Sequence, residues 1–220
     1  MKRGLVAVAV AVVLAGCAGQ GMEKKSQLGF FVSSTGSGKG ADFGGLVGAD
    51  ALCQKLATAA GAGDRTWRAY LSTQASGSTP AVNAKDRIGT GPWKNAKGEV
   101  IAKDVADLHG GSNNLTKQTA LTETGAVVNG RGDTPNEHDI LTGTQPNGTA
   151  FAVAEDKTCG NWTKSGDGSA VVGHHDRAGL PTVPVAEAIS WNSSHGSRGC
   201  SVDQLKASGG AGKIYCFASN

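Results

Sequence analysis

Gly143–Trp162 reads GTQPNGTAFAVAEDKTCGNW. The tetrapeptide Gln145-Pro146-Asn147-Gly148 leads into a short apolar run and then into Cys159 and Trp162. Proline presets φ and Asn-Gly tolerates positive φ, so the tetrapeptide reads as a turn. Cys53 precedes the stretch by most of the chain, and Cys200 and Cys216 follow it. A polar loop beside a cysteine in a covalent frame is either a binding loop or an ordinary turn next to a staple.

Working outward, the N-terminus carries Met1-Lys2-Arg3, an apolar run from Leu5 to Leu14, and small residues before Cys17. This is the pattern of a secretory signal peptide over residues 1–16, too short for a membrane span. Leu14-Ala15-Gly16-Cys17 resembles the bacterial lipobox. That resemblance implies that Cys17 is lipidated and becomes the mature N-terminus. The membrane is then a partner through the lipid, and the expected location is the bacterial cell envelope, at the outer membrane or cell surface. Residues 17–27 are polar and aperiodic, as expected of a lipidated tether. Residues 28–220 are long enough for one domain. The formal charge of +3 includes Lys2 and Arg3. Without them 19 basic residues face 18 acidic ones, and a balanced surface gives no counterion-release drive for nucleic acid. The 34 glycines follow no collagen period; with four tryptophans and scattered aliphatic segments they point to a folded, loop-rich chain.

Leu28–Ser34 is aromatic and β-branched and is expected to form a strand. Thr35–Gly40 (TGSGKG) lacks the Ser/Thr that follows lysine in a phosphate loop, which argues against nucleotide binding. Between Gly44 and Gly61, Leu46, Ala49, Leu52, Cys53, Leu56 and Ala60 recur at helical spacing, with Gly61 placed to end the helix. Thr66–Ser72 alternates as a strand with Trp67, Ala69 and Leu71 on one face. Val82–Pro92 reads as a loop with one helical turn, Trp93 as a lid on the core, and Val100–Leu108 as a strand and short turn. Residues 109–143 and 163–199 read as long loops, the first holding two aliphatic pieces. Lys213–Ala218 is a strong strand.

Apart from Cys17, four cysteines remain. In an exported chain they are expected to form disulfides, and three pairings are open. The absence of any Cys-x-x-Cys pair argues against a cysteine metal site. Catalysis finds little support, so the chain is not expected to be an enzyme. It has no Gly-x-Ser-x-Gly elbow, bonded cysteines are not nucleophiles, and Glu155 and Asp156 are neighbours that diverge.

A family likeness emerges from several of these pieces together. They are the helix bearing Cys53, Trp67–Ser72 (WRAYLS), Ala81–Asp86 (AVNAKD), Pro92-Trp93 and Gly98–Val100 (GEV). They continue with Thr142–Gly148 (TGTQPNG), Cys159–Trp162 (CGNW), Cys200 and Ile214–Phe217 (IYCF). In this order, over most of residues 28–220, they resemble the endostatin module of collagens XV and XVIII, with a looser spacing between Trp162 and Cys200. The resemblance implies an α+β, C-type-lectin-like fold: a mixed twisted sheet, one or two helices, long loops and two nested disulfides, Cys53–Cys216 and Cys159–Cys200. It also implies a non-catalytic binding domain for a glycan or a protein of the envelope or surface. A structural, envelope-assembly role is the alternative, and a metal-dependent hydrolase ranks behind both.

Two groups of residues are candidate sites. Gln145-Pro146-Asn147 resembles the Ca²⁺- and sugar-binding triplet of C-type lectins, and Ser190-Trp191-Asn192-Ser193 resembles their Trp-Asn-Asp motif. The likeness makes Gln145, Asn147 and Asn192 candidate ligands. The four tryptophans read as core or lid before sugar platforms, and Trp191, between two polar loops, is the best candidate for an exposed platform. Ca²⁺ takes six to eight oxygens, with carboxylates prominent among them, so a structural turn competes with this reading. Endostatin's zinc histidines have no counterpart between Cys17 and Phe31. His174, His175, Asp176 and His195 form the second group, as candidate Zn²⁺ ligands. The competing reading makes the histidines solvated loop residues. Arg131-Gly132-Asp133 spells a three-residue adhesion motif of a kind that arises by chance.

Overall fold

A computed structural model of the chain describes residue 1 and residues 26–152, 154–182 and 184–220. The expected signal peptide and lipidation site Cys17 lie outside the described residues. From the N-terminal side, strand β1 (Phe30–Val32) is followed by helix α1 (Gly45–Ala59) and strand β2 (Trp67–Ala69). A 3₁₀ turn at Ala84–Asp86 precedes the small hairpin of β3 (Trp93–Lys94) and β4 (Val100–Ala102), and then α2 (Val105–His109). The second half contains β5 (Asp139–Leu141), α3 (Cys159–Trp162), β6 (Val171–His174) and α4 (Val185–Ala188). It ends with β7 (His195–Gly196), α5 (Val202–Ser208) and β8 (Gly210–Ala218).

The main sheet runs β1-β8-β5-β6-β7, with β2 also paired to β8. All its pairings are antiparallel except β5 with β8, which is parallel. Strand β8 alternates cleanly, as a strand buried on both faces must when two different cores lie against it. Ile214, Cys216 and Ala218 enter one core, with α1, Trp67 and Trp162. Tyr215 and Phe217 enter the other, with Phe30, Tyr70, Trp93 and Trp191. All four tryptophans are buried, so Trp93 is part of the core rather than a lid.

Helix α1 buries Ala49, Cys53 and Ala57, four residues apart, while Leu46, Leu52, Leu56 and Ala60 pack along the edge of the same stripe. Its end falls where the glycine predicted it: Gly61 takes a φ of 75° just after the cap residue Ala60. The Cys53 sulfur bonds Cys216 across the core, and Cys159 bonds Cys200. The first bond encloses the second in sequence, and it ties α1 to β8.

One or two helices were expected, and five helical segments are present among the described residues. Four of them are seven residues or shorter, too short for a helical period to stand out in the sequence. Residues 163–199 also hold β6, α4 and β7 in place of one long loop. The segment α3 is unusual, because Cys159, Gly160, Asn161 and Trp162 all have positive φ, between 49° and 69°. It is a single left-handed turn. Thr158 accepts from the Asn161 amide, Asp156 accepts from Gly160, and the Trp162 indole donates to the Ser72 carbonyl at 2.7 Å.

In the chain-entropy description the outer disulfide contributes about 5 kcal/mol and the inner about 4. Cys53→Ser with Cys216→Ser is therefore expected to lower the unfolding free energy by about that larger amount in urea titrations. Loss of the inner pair is expected to cost less than its loop length implies, because left-handed strain is released with it. An inner-pair loss larger than the outer would contradict this account.

Candidate metal centre

Antiparallel pairing of β5 with β6 sets Asp139 directly opposite His174. Pairing of β6 with β7 sets His195 opposite Val172, which shares a sheet face with His174. Cross-strand and diagonal neighbours of this kind have their side chains in reach of one another. His138, just before β5, completes the group with its ring stacked on that of His174 at a centroid separation of 4.2 Å. Gly173 makes the arrangement possible, since a Cβ there would lie 1.9 Å from the Trp191 carbonyl oxygen.

Three imidazole Nε2 atoms converge on one carboxylate oxygen. Asp139 Oδ1 lies 3.2 Å from His138 Nε2, 3.3 Å from His174 Nε2 and 3.5 Å from His195 Nε2. The Nε2 atoms of His174 and His195 are 3.0 Å apart. Asp139 is 2% exposed, and among the described residues neither of its oxygens has an aligned hydrogen-bond partner. A buried carboxylate in that condition needs a counter-charge. Burial opposes its ionisation, yet His174, His195 and His138 around it hold its carboxyl below the ordinary range.

The outer ring atoms decide what the inner ones can do. His174 Nδ1 lies 2.7 Å from the Ala188 carbonyl oxygen, His195 Nδ1 3.1 Å from that of Gly196, and His138 Nδ1 3.3 Å from Asp176 Oδ1. Each neighbour can accept, so each Nδ1 can donate outward and leave its Nε2 facing Asp139. The Asp139 carboxylate, by hydrogen bond and charge, holds the His195 ring above the ordinary histidine range. Three ring nitrogens and a carboxylate facing one another at this range need a shared proton or a cation among them, and a metal would take the place of the proton. A tetrahedral Zn²⁺ with metal–nitrogen bonds near 2.0–2.1 Å sets its ligand atoms about 3.3 Å apart, close to the distances of the three Nε2 atoms from Asp139 Oδ1 and of His174 from His195. The ligand atoms of His138, Asp139 and His174 all lie within 4.8 Å of one another. Backing each ligand with an acceptor on its second nitrogen is also what a bound metal requires. Imidazole donors suit Zn²⁺ and not Ca²⁺.

The proposed ligand quartet is only half brought together. His174 and His195 meet in the cluster. Asp176 stands behind His138, and its carboxylate also accepts from the amides of Arg131 and Ala178. Burial works against its charge, but His138 and these amides hold its carboxyl well below the ordinary range. His175 faces away, with Nε2 3.1 Å from the Asn129 carbonyl oxygen. His174 and His175 are buried rather than solvated, and His195 alone is substantially exposed, at 42% of its side chain. His138 and Asp139 escaped sequence reasoning, although an Asp directly before the apolar Ile140-Leu141 was a visible signal.

The lectin-like group has a different character. Asn192 is buried and donates its amide to the Gln145 and Pro146 carbonyl oxygens and to the Tyr70 hydroxyl. Asn147 Oδ1 accepts from the Thr149 amide and hydroxyl, and Gln145 Nε2 donates to Ala150. These residues do assemble, but as a turn holding itself together. Asp156, a carboxylate that follows the turn in sequence, is engaged by Gly160, Thr158 and Lys164. Trp191 is 4% exposed and packs on Tyr70 and Tyr215, so it offers no stacking platform.

No protein-family model matches the chain, and no curated protein is detectably similar to it.

Behind the turn, the Tyr70 hydroxyl lies 2.7 Å from His109 Nε2, whose Nδ1 faces the Val105 carbonyl oxygen. Burial pushes the Tyr70 hydroxyl far up and the His109 ring down, so Tyr70 donates to a neutral His109. A depressed histidine contributes stability that is full above its unfolded pKa of about 6.5 and fades as pH falls below it. The urea midpoint in EDTA is expected to fall between pH 7.5 and 5.5, and to fall less in His109→Gln. An unchanged pH profile in the variant would show that another group controls the loss.

Proposed function

We propose that this chain is an exported, disulfide-stapled binding domain whose central feature is a Zn²⁺ ion held by His138, Asp139, His174 and His195. The observation that carries the reading is the convergence of three outward-backed Nε2 atoms on a buried carboxylate oxygen. The role is binding rather than turnover. The C-type-lectin-like architecture remains part of the proposal, supported by the mixed sheet and by the nested Cys53–Cys216 and Cys159–Cys200 bonds. So does anchorage to the bacterial envelope through Cys17. Glycan recognition at Gln145, Asn147 and Asn192 is not favoured, because their polar atoms serve the turn. An envelope-assembly role is compatible with a metal that serves only to fix β5, β6 and β7.

Calorimetric titration of the EDTA-treated, dialysed chain is expected to show one Zn²⁺ per chain, with Ca²⁺ giving no heat. His174→Ala is expected to weaken Zn²⁺ by a factor of about 100 or more, and Asp176→Asn, which removes the charge behind His138 and alters the contacts to the Arg131 and Ala178 amides, by about 10–100. Substoichiometric binding, or binding unaffected by His174→Ala, would remove the metal reading.

A further inference from the structure

A cavity of about 170 Å³ lies over the cluster, bordered by His138, His174 and His195 but not by Asp139. What it holds depends on the metal reading just proposed. Asp139 closes the cluster from behind, so the cavity meets the face formed by the three imidazoles. Four protein ligands complete a tetrahedron, and Zn²⁺ expands to five-coordinate when a further ligand is presented. A ligand in this cavity approaches through the three-imidazole face, opposite Asp139.

The walls specify its chemistry. Arg131 lines the cavity, and its guanidinium makes no ion pair or hydrogen bond among the described residues. Its own loop does not neutralise it, because Asp133 is paired with Lys117 and accepts from the Gly130 amide. A guanidinium is a fork of donors matched to a carboxylate. Asn136 turns its Oδ1 to the His138 amide, at 3.3 Å, which leaves its amide nitrogen as a second donor. Leu180 contributes an apolar wall and Glu187 one negative charge, which disfavours polyanions. The volume is close to that of an apolar cavity of roughly 150 Å³ that admits benzene, which limits the ligand to about six to eight heavy atoms.

We infer that the cavity takes a small organic carboxylate, with one oxygen on the metal, the carboxyl group held by Arg131 and the hydrocarbon part against Leu180. The carboxylate is either a free short-chain acid or the end of a peptide, and the two sources present the same group.

Cobalt(II) in place of zinc makes the coordination visible, because its absorption bands lose intensity on passing from four ligands to five. Titration of the Co²⁺-loaded chain with sodium butyrate, at constant ionic strength, is expected to give a saturable fall in absorbance. Butyramide, which has the same size and no charge, is expected to give none. Arg131→Met is expected to keep the unliganded spectrum and to weaken butyrate about tenfold or more. A matching response to N-acetylglycine assigns the site to peptide ends, and a response to butyrate alone assigns it to free acids; both outcomes support the inference. A cobalt spectrum that butyrate does not move, or an Arg131→Met variant with unchanged affinity, overturns the carboxylate and leaves the metal reading intact. Failure to bind Co²⁺ at all overturns both.

Discussion

Strand β8 is hydrogen-bonded along both edges, to β1 on one side and to β2 and β5 on the other, while its two faces bury separate apolar cores. Five of its residues in a row, Ile214–Ala218, are almost wholly inaccessible. A strand so enclosed has no freedom of register, since a slip by one residue would exchange the contents of the two cores. Everything else takes its position from this strand. Cys216 fixes α1, Tyr215 donates to the Trp191 carbonyl at 2.8 Å, and the parallel pairing with β5 delivers Asp139. The candidate metal centre is therefore built on the sheet, not on the loops that surround it.

How much of this could be read beforehand depended on the range of the signal. The helix around Cys53 was legible from its period, and the strands at Phe30 and Trp67 and the last strand from aromatic and β-branched runs that extend beyond the paired residues. Residues 163–199 were not, because β6 has four residues, β7 two and α4 four, and such pieces are set by tertiary pairing rather than by propensity. Helix α5 does carry a capping box of Ser201 and Gln204, a four-residue signal that sequence reasoning missed. The site was half legible for the same reason. His174 and His195 attract notice as histidines in a disulfide-bounded stretch, but their partners His138 and Asp139 lie more than thirty residues away, joined to them only by strand register.

The two candidate sites also show how one chemistry divides by context. Gln145, Asn147 and Asn192 are polar groups that satisfy each other, so their burial adds rigidity and leaves nothing for a ligand. Asp139 is buried among three imidazoles with no aligned hydrogen-bond partner among the described residues, so its burial is costly until a proton or a cation is held there. Similar residue types in a polar loop give no warning of which case applies. The distinction rests on whether the facing groups already pair as donor and acceptor or need an added proton or cation to do so.

The left-handed turn at Cys159–Trp162 gives the inner disulfide a purpose apart from cohesion. Three non-glycine residues there hold a backbone hand that L-residues resist by roughly 1–2 kcal/mol each, a sum of the same order as the contribution of a disulfide closing a loop of this length. The two nearly cancel. What the Cys159–Cys200 bond leaves behind is chirality: it keeps Cys159 and Trp162 both turned inward on a segment that, wound the usual way, would aim them elsewhere.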